Sequence, residues 1–139
     1  MPEYNIRITT TQFDVSEEPV VEEASAKLRI IDDIRYINYV LSVNDDTPAV
    51  STLIEIKEKS LRIFRMGGIS GRVIYSLGEA ASSQLDLGFM CLDITNKTDH
   101  LAIFEIDGNL AVNIRYKLYI NDAFVSDCET DLVLTRLTM

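Results

Sequence analysis

Arg65 and Arg72 flank a glycine-rich turn in the stretch LRIFRMGGISGRVIY, residues 61–75. A guanidinium group offers several N–H donors in a planar fork that matches a carboxylate or a phosphate. Two of them across one turn would make an anion clamp, provided that strand register brings them together. If residues 66–71 form the turn, Arg65 lies opposite Arg72, and both share a face with Ile63 and Ile74. Like charges facing each other across a ladder destabilise the pairing unless something neutralises them; Glu79, Asp86 or a bound anion would serve. If Gly67 and Gly68 alone make the turn, Arg65 faces Ser70 and the crowding disappears. The residues leave both registers open. GGISG (67–71) has neither the Gly-Lys-Ser/Thr ending nor the strand–loop–helix setting of a phosphate-binding loop, and reads as a hairpin connection whose glycines permit positive φ.

Other reactive side chains are sparse. His100 is the sole histidine, at a strand start in NKTDHLAIF, and reads as a surface residue. A histidine-rich zinc site has no partners to draw on. Cys91 and Cys128 cannot build a disulfide framework, and each reads as a buried, reduced thiol. Asp127, Glu129 and Asp131 alternate along SDCETDL (126–132), which places three like charges on one strand face and points to solvent rather than to a calcium or magnesium site. No base and nucleophile are visibly paired. The expectation is a protein that is not an enzyme, with no catalytic residues, no bound metal and no cofactor.

The elements that position these residues are strands. LAVNIRYKLYI (110–120) sets Leu110, Val112, Ile114, Tyr116, Leu118 and Ile120 on one face, with Asn113, Arg115 and Lys117 on the other. Such period-two alternation marks a strand with one buried and one wet face. It recurs in NIRITTTQF, VSTLIEIK, HLAIFEI and DLVLTRLTM. Turn signals fall between the runs: Asp32-Asp33, Asn44-Asp45-Asp46 ahead of Pro48, Gly67-Gly68, Asn96-Lys97, Asp107-Gly108-Asn109 and Asn121-Asp122. Short connections of this type join antiparallel neighbours. The one helix candidate, SEEPVVEEASAKLRII (16–31), continues with Ala24, Ala26, Leu28 and Ile30 alternating against Ser25, Lys27 and Arg29; it reads as a strand from about residue 21, with the acidic stretch 14–23 as a solvated loop or edge.

About ten strands in 139 residues form a single domain, 1–139, with edges to protect. Closure removes edges altogether, so the expected fold is all-β, a single antiparallel up-and-down β-barrel, with a two-sheet sandwich second. Composition agrees with an ordered globular domain: 47% hydrophobic and 25% charged. The net charge of −9 argues against nucleic acid and against an anionic membrane surface, because both require clustered Lys and Arg. No apolar run approaches the roughly 20 residues of a membrane-spanning helix, and MPEYNIRITT lacks a basic region followed by an apolar core. A cytoplasmic location is the expectation.

Several stretches together resemble the YwiB-like family, bacterial proteins carrying a domain of unknown function, from roughly Glu22 to the C-terminus. They are the double-acid turn entering RYINYVLSV, the long run VSTLIEIKEKSLRIFRMGGISGRVIYSLGE, the Ser82-Ser83 pair and IRYKLYIND (114–122). The resemblance implies a calycin/lipocalin-like antiparallel barrel and no particular activity. The segment after Ser82-Ser83 departs from the family's Tyr-x-Thr-Pro-aromatic-Gly pattern and reads LDLGFM (85–90), so a pocket shaped by that element would differ here.

Barrels of this size can enclose one small ligand or hold it at the mouth. The expected function is therefore binding of a small, partly apolar or anionic molecule, with Arg65 and Arg72 supplying charge and Tyr75, Phe104 and Tyr116 supplying apolar lining. The alternative is a protein-interaction module, such as a homodimer, that uses Phe64 and Met66 as an outward apolar patch around a filled barrel.

Overall fold

A computed structural model describes residues 3–41 and 49–137. The chain runs through ten strands: β1 (Tyr4–Gln12), β2 (Val20–Ile31), β3 (Ile34–Leu41), β4 (Val50–Ile56), β5 (Ser60–Gly67), β6 (Ser70–Ser76), β7 (Ala80–Asp86), β8 (Cys91–Ile106), β9 (Asn109–Ile120) and β10 (Ala123–Arg136). Each pairs antiparallel with its chain neighbour, and β1 pairs with β10 to close the barrel. The expected up-and-down barrel is the fold. Closure pairs every strand on both sides, although β6 and β7 pair only near Ser70 and Gly71.

Local chemistry sets the hairpins. Asp32-Asp33, Asp107-Gly108 and Asn121-Asp122 occupy two-residue turns, and all six residues have positive φ. That is the primed turn whose twist matches the strands it joins, and Asp and Asn tolerate it better than bulkier residues. The signal at Asn44-Asp45-Asp46 lies outside the described residues. Asn96-Lys97, read as a turn, instead lies within the long strand β8. The turns that bound β8 lie at 87–90 and 107–108, where Gly88, Asp107 and Gly108 have positive φ.

The acidic stretch divides. Residues 13–19 connect β1 to β2, but β2 begins at Val20, so Glu22 and Glu23 are strand residues. Alternation then sends Glu22 inward with Ala24, Ala26 and Leu28, and Glu23 outward.

Side chains fill the barrel. Ile6, Ile37, Ile54, Ile56, Leu61, Val112, Ile114, Leu132 and Leu134 are buried along the axis. Tyr75 of β6 meets Tyr116 of β9 edge to face across the interior, with ring centroids 4.8 Å apart. We call upper the end where β1 finishes and β2 begins. It also carries the β5–β6, β7–β8 and β9–β10 turns. At the lower end, Arg35 of β3 reaches across to Glu105 of β8 at 2.6 Å.

Candidate functional site

The register of the β5–β6 hairpin decides where the two arginines point. Arg65 pairs with Gly71, and Phe64 pairs with Arg72. This lies one step from each of the two registers open to the sequence, and it separates the arginines. Arg65 joins Leu61 and Ile63 on the inner face, while Arg72 projects outward and is exposed. Two glycines hold this geometry. A Cβ at Gly67 would lie 2.2 Å from the Ala49 carbonyl oxygen, and one at Gly71 would lie 2.2 Å from that of Gln84. Both have φ near +130°, which disfavours any side chain. The hairpin is therefore pressed against β4 on one side and β7 on the other.

The Arg65 side chain crosses the upper end of the barrel to β2. Its Nη2 donates to both carboxylate oxygens of Glu22, at 3.1 and 3.2 Å, and Nη1 donates to Thr52 Oγ1 at 3.4 Å. Tyr39 Oη donates to Glu22 Oε2 at 3.1 Å. Burial, followed by the Glu22 charge, raises the Tyr39 pKa far above its ordinary value. The side chains of Arg65 and Glu22 are 14% and 26% exposed, so the pair is largely shielded from solvent. Sequence reasoning assigned neither Glu22 nor Tyr39 to this site, and it offered Glu79 or Asp86 as the neutralising partner. The signal was present: carrying the Ala24–Ala26–Leu28 alternation back one step places Glu22 on the inner face.

Of the three aromatic residues expected to line a ligand space, Tyr75 and Tyr116 meet and Phe104 lies apart. Tyr75 and Tyr116 are buried and fill the interior. The Tyr116 hydroxyl lies 3.0 Å from Thr130 Oγ1, which lies 3.2 Å from Thr10 Oγ1. Burial raises the pKa of both tyrosines. Phe104 points the other way, 56% exposed on the outer wall. The reason is a register shift in β8 between Thr98 and His100. Ile94, Asn96 and Thr98 face inward before it, Leu101 and Ile103 after it, and Phe104 loses its expected phase. Cys128 is buried as expected, whereas Cys91 is exposed, because it shares the outward parity of Asp93 and Thr95. His100 is exposed on the outer surface.

Asp127, Glu129 and Asp131 form an outward ladder against β9. Lys117 lies opposite Asp127, Arg115 opposite Glu129 and Asn113 opposite Asp131. The bonds are 2.8, 2.9 and 2.6 Å. Donation from Asn113 and then Arg115 lowers the Glu129 pKa. Each acid is thus matched by a cross-strand donor.

An open groove of about 1030 Å³, bordered by both arginines, lies on the upper outer wall and runs over β5 to β8. Phe64 and Met66 form an apolar border, Arg72 stands in it, and Ser82, Gln84 and Thr95 supply neutral polar groups. Ser82 and Thr95 hydroxyls lie 2.8 Å apart, and Gln84 Nε2 donates to Asp93 at 3.0 Å. Among the described residues Arg72 makes no ion pair.

Residues 6–132 match the family described as Domain of unknown function (DUF1934), and the chain belongs to that family. The fold is also that of the crystal structure of the ywiB protein from Bacillus subtilis. The TM-score is 0.81 at 13% sequence identity, over 99% of this chain and 93% of that one. No curated protein matches the chain.

Proposed function

We propose that this member of the family is a non-enzymatic binding domain that takes a small, partly apolar ligand with one anionic group in the groove over β5 to β8. The observation that carries this reading is Arg72: an outward guanidinium without an ion-pair partner among the described residues, in an open groove beside Phe64 and Met66. A groove of this size suits a metabolite-sized molecule. The cation would fix a carboxylate, and the apolar border would hold the remainder. Arg65 is a poorer anion site, since a ligand there must displace Glu22. Asp93 and Asp122 also border the groove, and the chain carries a net charge of −9, so a single negative group fits better than a polyanion. Ser82 and Thr95 are paired with one another and Gln84 with Asp93, an arrangement that suits hydrogen bonding more than nucleophilic attack.

Thermal-shift and native mass-spectrometry screens of aliphatic and aromatic carboxylates test the reading. A ligand at one hundred times its Kd should stabilise the fold by about 2.7 kcal/mol. Arg72→Ala should weaken the hit about tenfold or more, and Arg65→Met, which removes a cation that borders the groove but is held by Glu22, should weaken it less. A panel without hits, or a hit that Arg72→Ala binds equally well, refutes the proposal.

A second reading uses the same wall as a homodimer surface, favoured by Met66 at 73% exposure beside the half-buried Phe64. It predicts a concentration-dependent mass in light scattering that Met66→Lys abolishes; a monomer at all concentrations removes it.

A further inference from the structure

Where β6 parts from β7, three polar side chains are buried along one seam. The β6–β7 ladder holds only at Ser70↔Asp86 and Gly71↔Leu85, whereas β7 stays paired to β8 from Ala80 to Asp86. Past Gly71, β8 bridges directly to β6: Asn96 Nδ2 donates to the Ile74 carbonyl oxygen at 3.3 Å. Asn96 and Thr98 face inward on β8, two residues apart, and each is 1% exposed. Ser83 faces inward on β7, opposite Ile94 and diagonal to Asn96.

The bond from Nδ2 to a carbonyl oxygen orients the Asn96 amide and leaves Oδ1 as the unmatched atom. Asn96 Oδ1, Thr98 Oγ1 and Ser83 Oγ are all buried, and none has a partner among the described residues. Native folds satisfy most such atoms once ordered water is counted, and three of the four found among the described residues, all but Arg62 Nε on β5, fall on this one seam, which points to a partner from outside the chain.

We infer that the seam between β6 and β8 is a binding site for a neutral hydroxyl group, supplied by water or by a polyol, that bridges Asn96 Oδ1 and Thr98 Oγ1. The donor set selects this class. Asn96 Oδ1 only accepts, so the guest must donate. The hydroxyls of Thr98 and Ser83 can donate or accept, which suits a guest that does both. All three side chains are neutral, and an ion among them would have no counter-charge to offset its desolvation. Ser83 also borders the outer groove. The site stands independently of the Arg72 reading.

Thr98→Val tests it, because the substitution deletes the hydroxyl and keeps the shape. With a bound guest, Thr98→Val leaves that guest short of a partner and lowers Tm by roughly 3–6 °C. An unchanged or raised Tm overturns the inference, since removing a lone buried hydroxyl relieves a desolvation penalty. A high-resolution crystal structure is the second measurement: an ordered guest within hydrogen-bond distance of both atoms supports the site, and a dry seam overturns it. Glycerol titration separates the sources. A Tm rise in the wild type that Thr98→Val lacks assigns a polyol, and parallel responses with an ordered guest assign water.

Discussion

Breaking the ion pair across the upper end of the barrel measures how much the inward register of Arg65 contributes to the fold. Glu22→Gln keeps the shape of the side chain and removes its charge. Arg65→Met keeps most of the apolar stem and leaves Glu22 with only the Tyr39 hydroxyl. Exposed ion pairs contribute about 0–1 kcal/mol, and removing one partner of a fully buried pair costs about 3–5 kcal/mol. At 14% and 26% exposure this pair lies between those limits. Glu22→Gln should therefore cost about 1–2 kcal/mol, and Arg65→Met about 2 kcal/mol, because the latter strands a half-buried carboxylate. The double variant should cost about 2 kcal/mol, well below the sum, giving a coupling energy of about 1–2 kcal/mol. Equilibrium unfolding in guanidinium chloride, with matching m values across the four proteins, supplies the cycle. Costs that add to within about 0.5 kcal/mol would mean that the two groups do not interact. Arg65 would then not face Glu22, and the pairing of Arg65 with Gly71 would be refuted with it.

Alkaline stability follows from the buried tyrosines. Tyr39, Tyr75 and Tyr116 all have pKa values raised by burial above an ordinary value of 10, so the folded state keeps protons that the unfolded chain releases. Their contribution is fully present below pH ~10 and falls above it by about 1.4 kcal/mol per pH unit for each tyrosine. Tyrosinate absorbance should show these three ionising only as the fold is lost; reversible ionisation of all six tyrosines in the folded state contradicts this. Gly71→Ala should cost on the order of 3 kcal/mol or prevent folding, because the added Cβ meets the Gln84 backbone and the φ of +131° is strained; thermal unfolding reads it, and a neutral effect refutes the tight packing of β6 on β7. Phe104→Ser should leave Tm within a degree or two of wild type, while Tyr116→Phe should cost about 1 kcal/mol through its hydrogen bond to Thr130. A larger loss at Phe104 than at Tyr116 reverses their assigned positions.

Much of the barrel was legible in the residues because its rules are local. Alternation in LAVNIRYKLYI places Val112, Ile114 and Tyr116 inside, and the structure buries all three. Asp107-Gly108 and Asn121-Asp122 become the positive-φ turns that their types favour. Phe104 was misplaced because a single extra residue in β8 reverses the facing of everything after it, and a bulge depends on the partner strand. Glu22 was missed because acid-rich sequence resembles solvated loop. The cost of bringing that charge inward is offset by Arg65, some forty residues away on a non-adjacent strand.

The sequence by itself determined an all-β chain of about ten short antiparallel strands, the positions of most turns, and the family to which it belongs. Period-two patterning and turn chemistry are properties of a few consecutive residues, so no partner is needed to read them. Only the tertiary structure decided that the barrel closes through β1 and β10, that its interior is filled, and that Arg65 and Arg72 lie on opposite faces of one hairpin. Those outcomes depend on register, and a one-residue slip sends every side chain of a strand to the other face. Register here is fixed by the close approach of Gly67 to Ala49 and of Gly71 to Gln84, contacts between distant segments that appear only when the chain is folded.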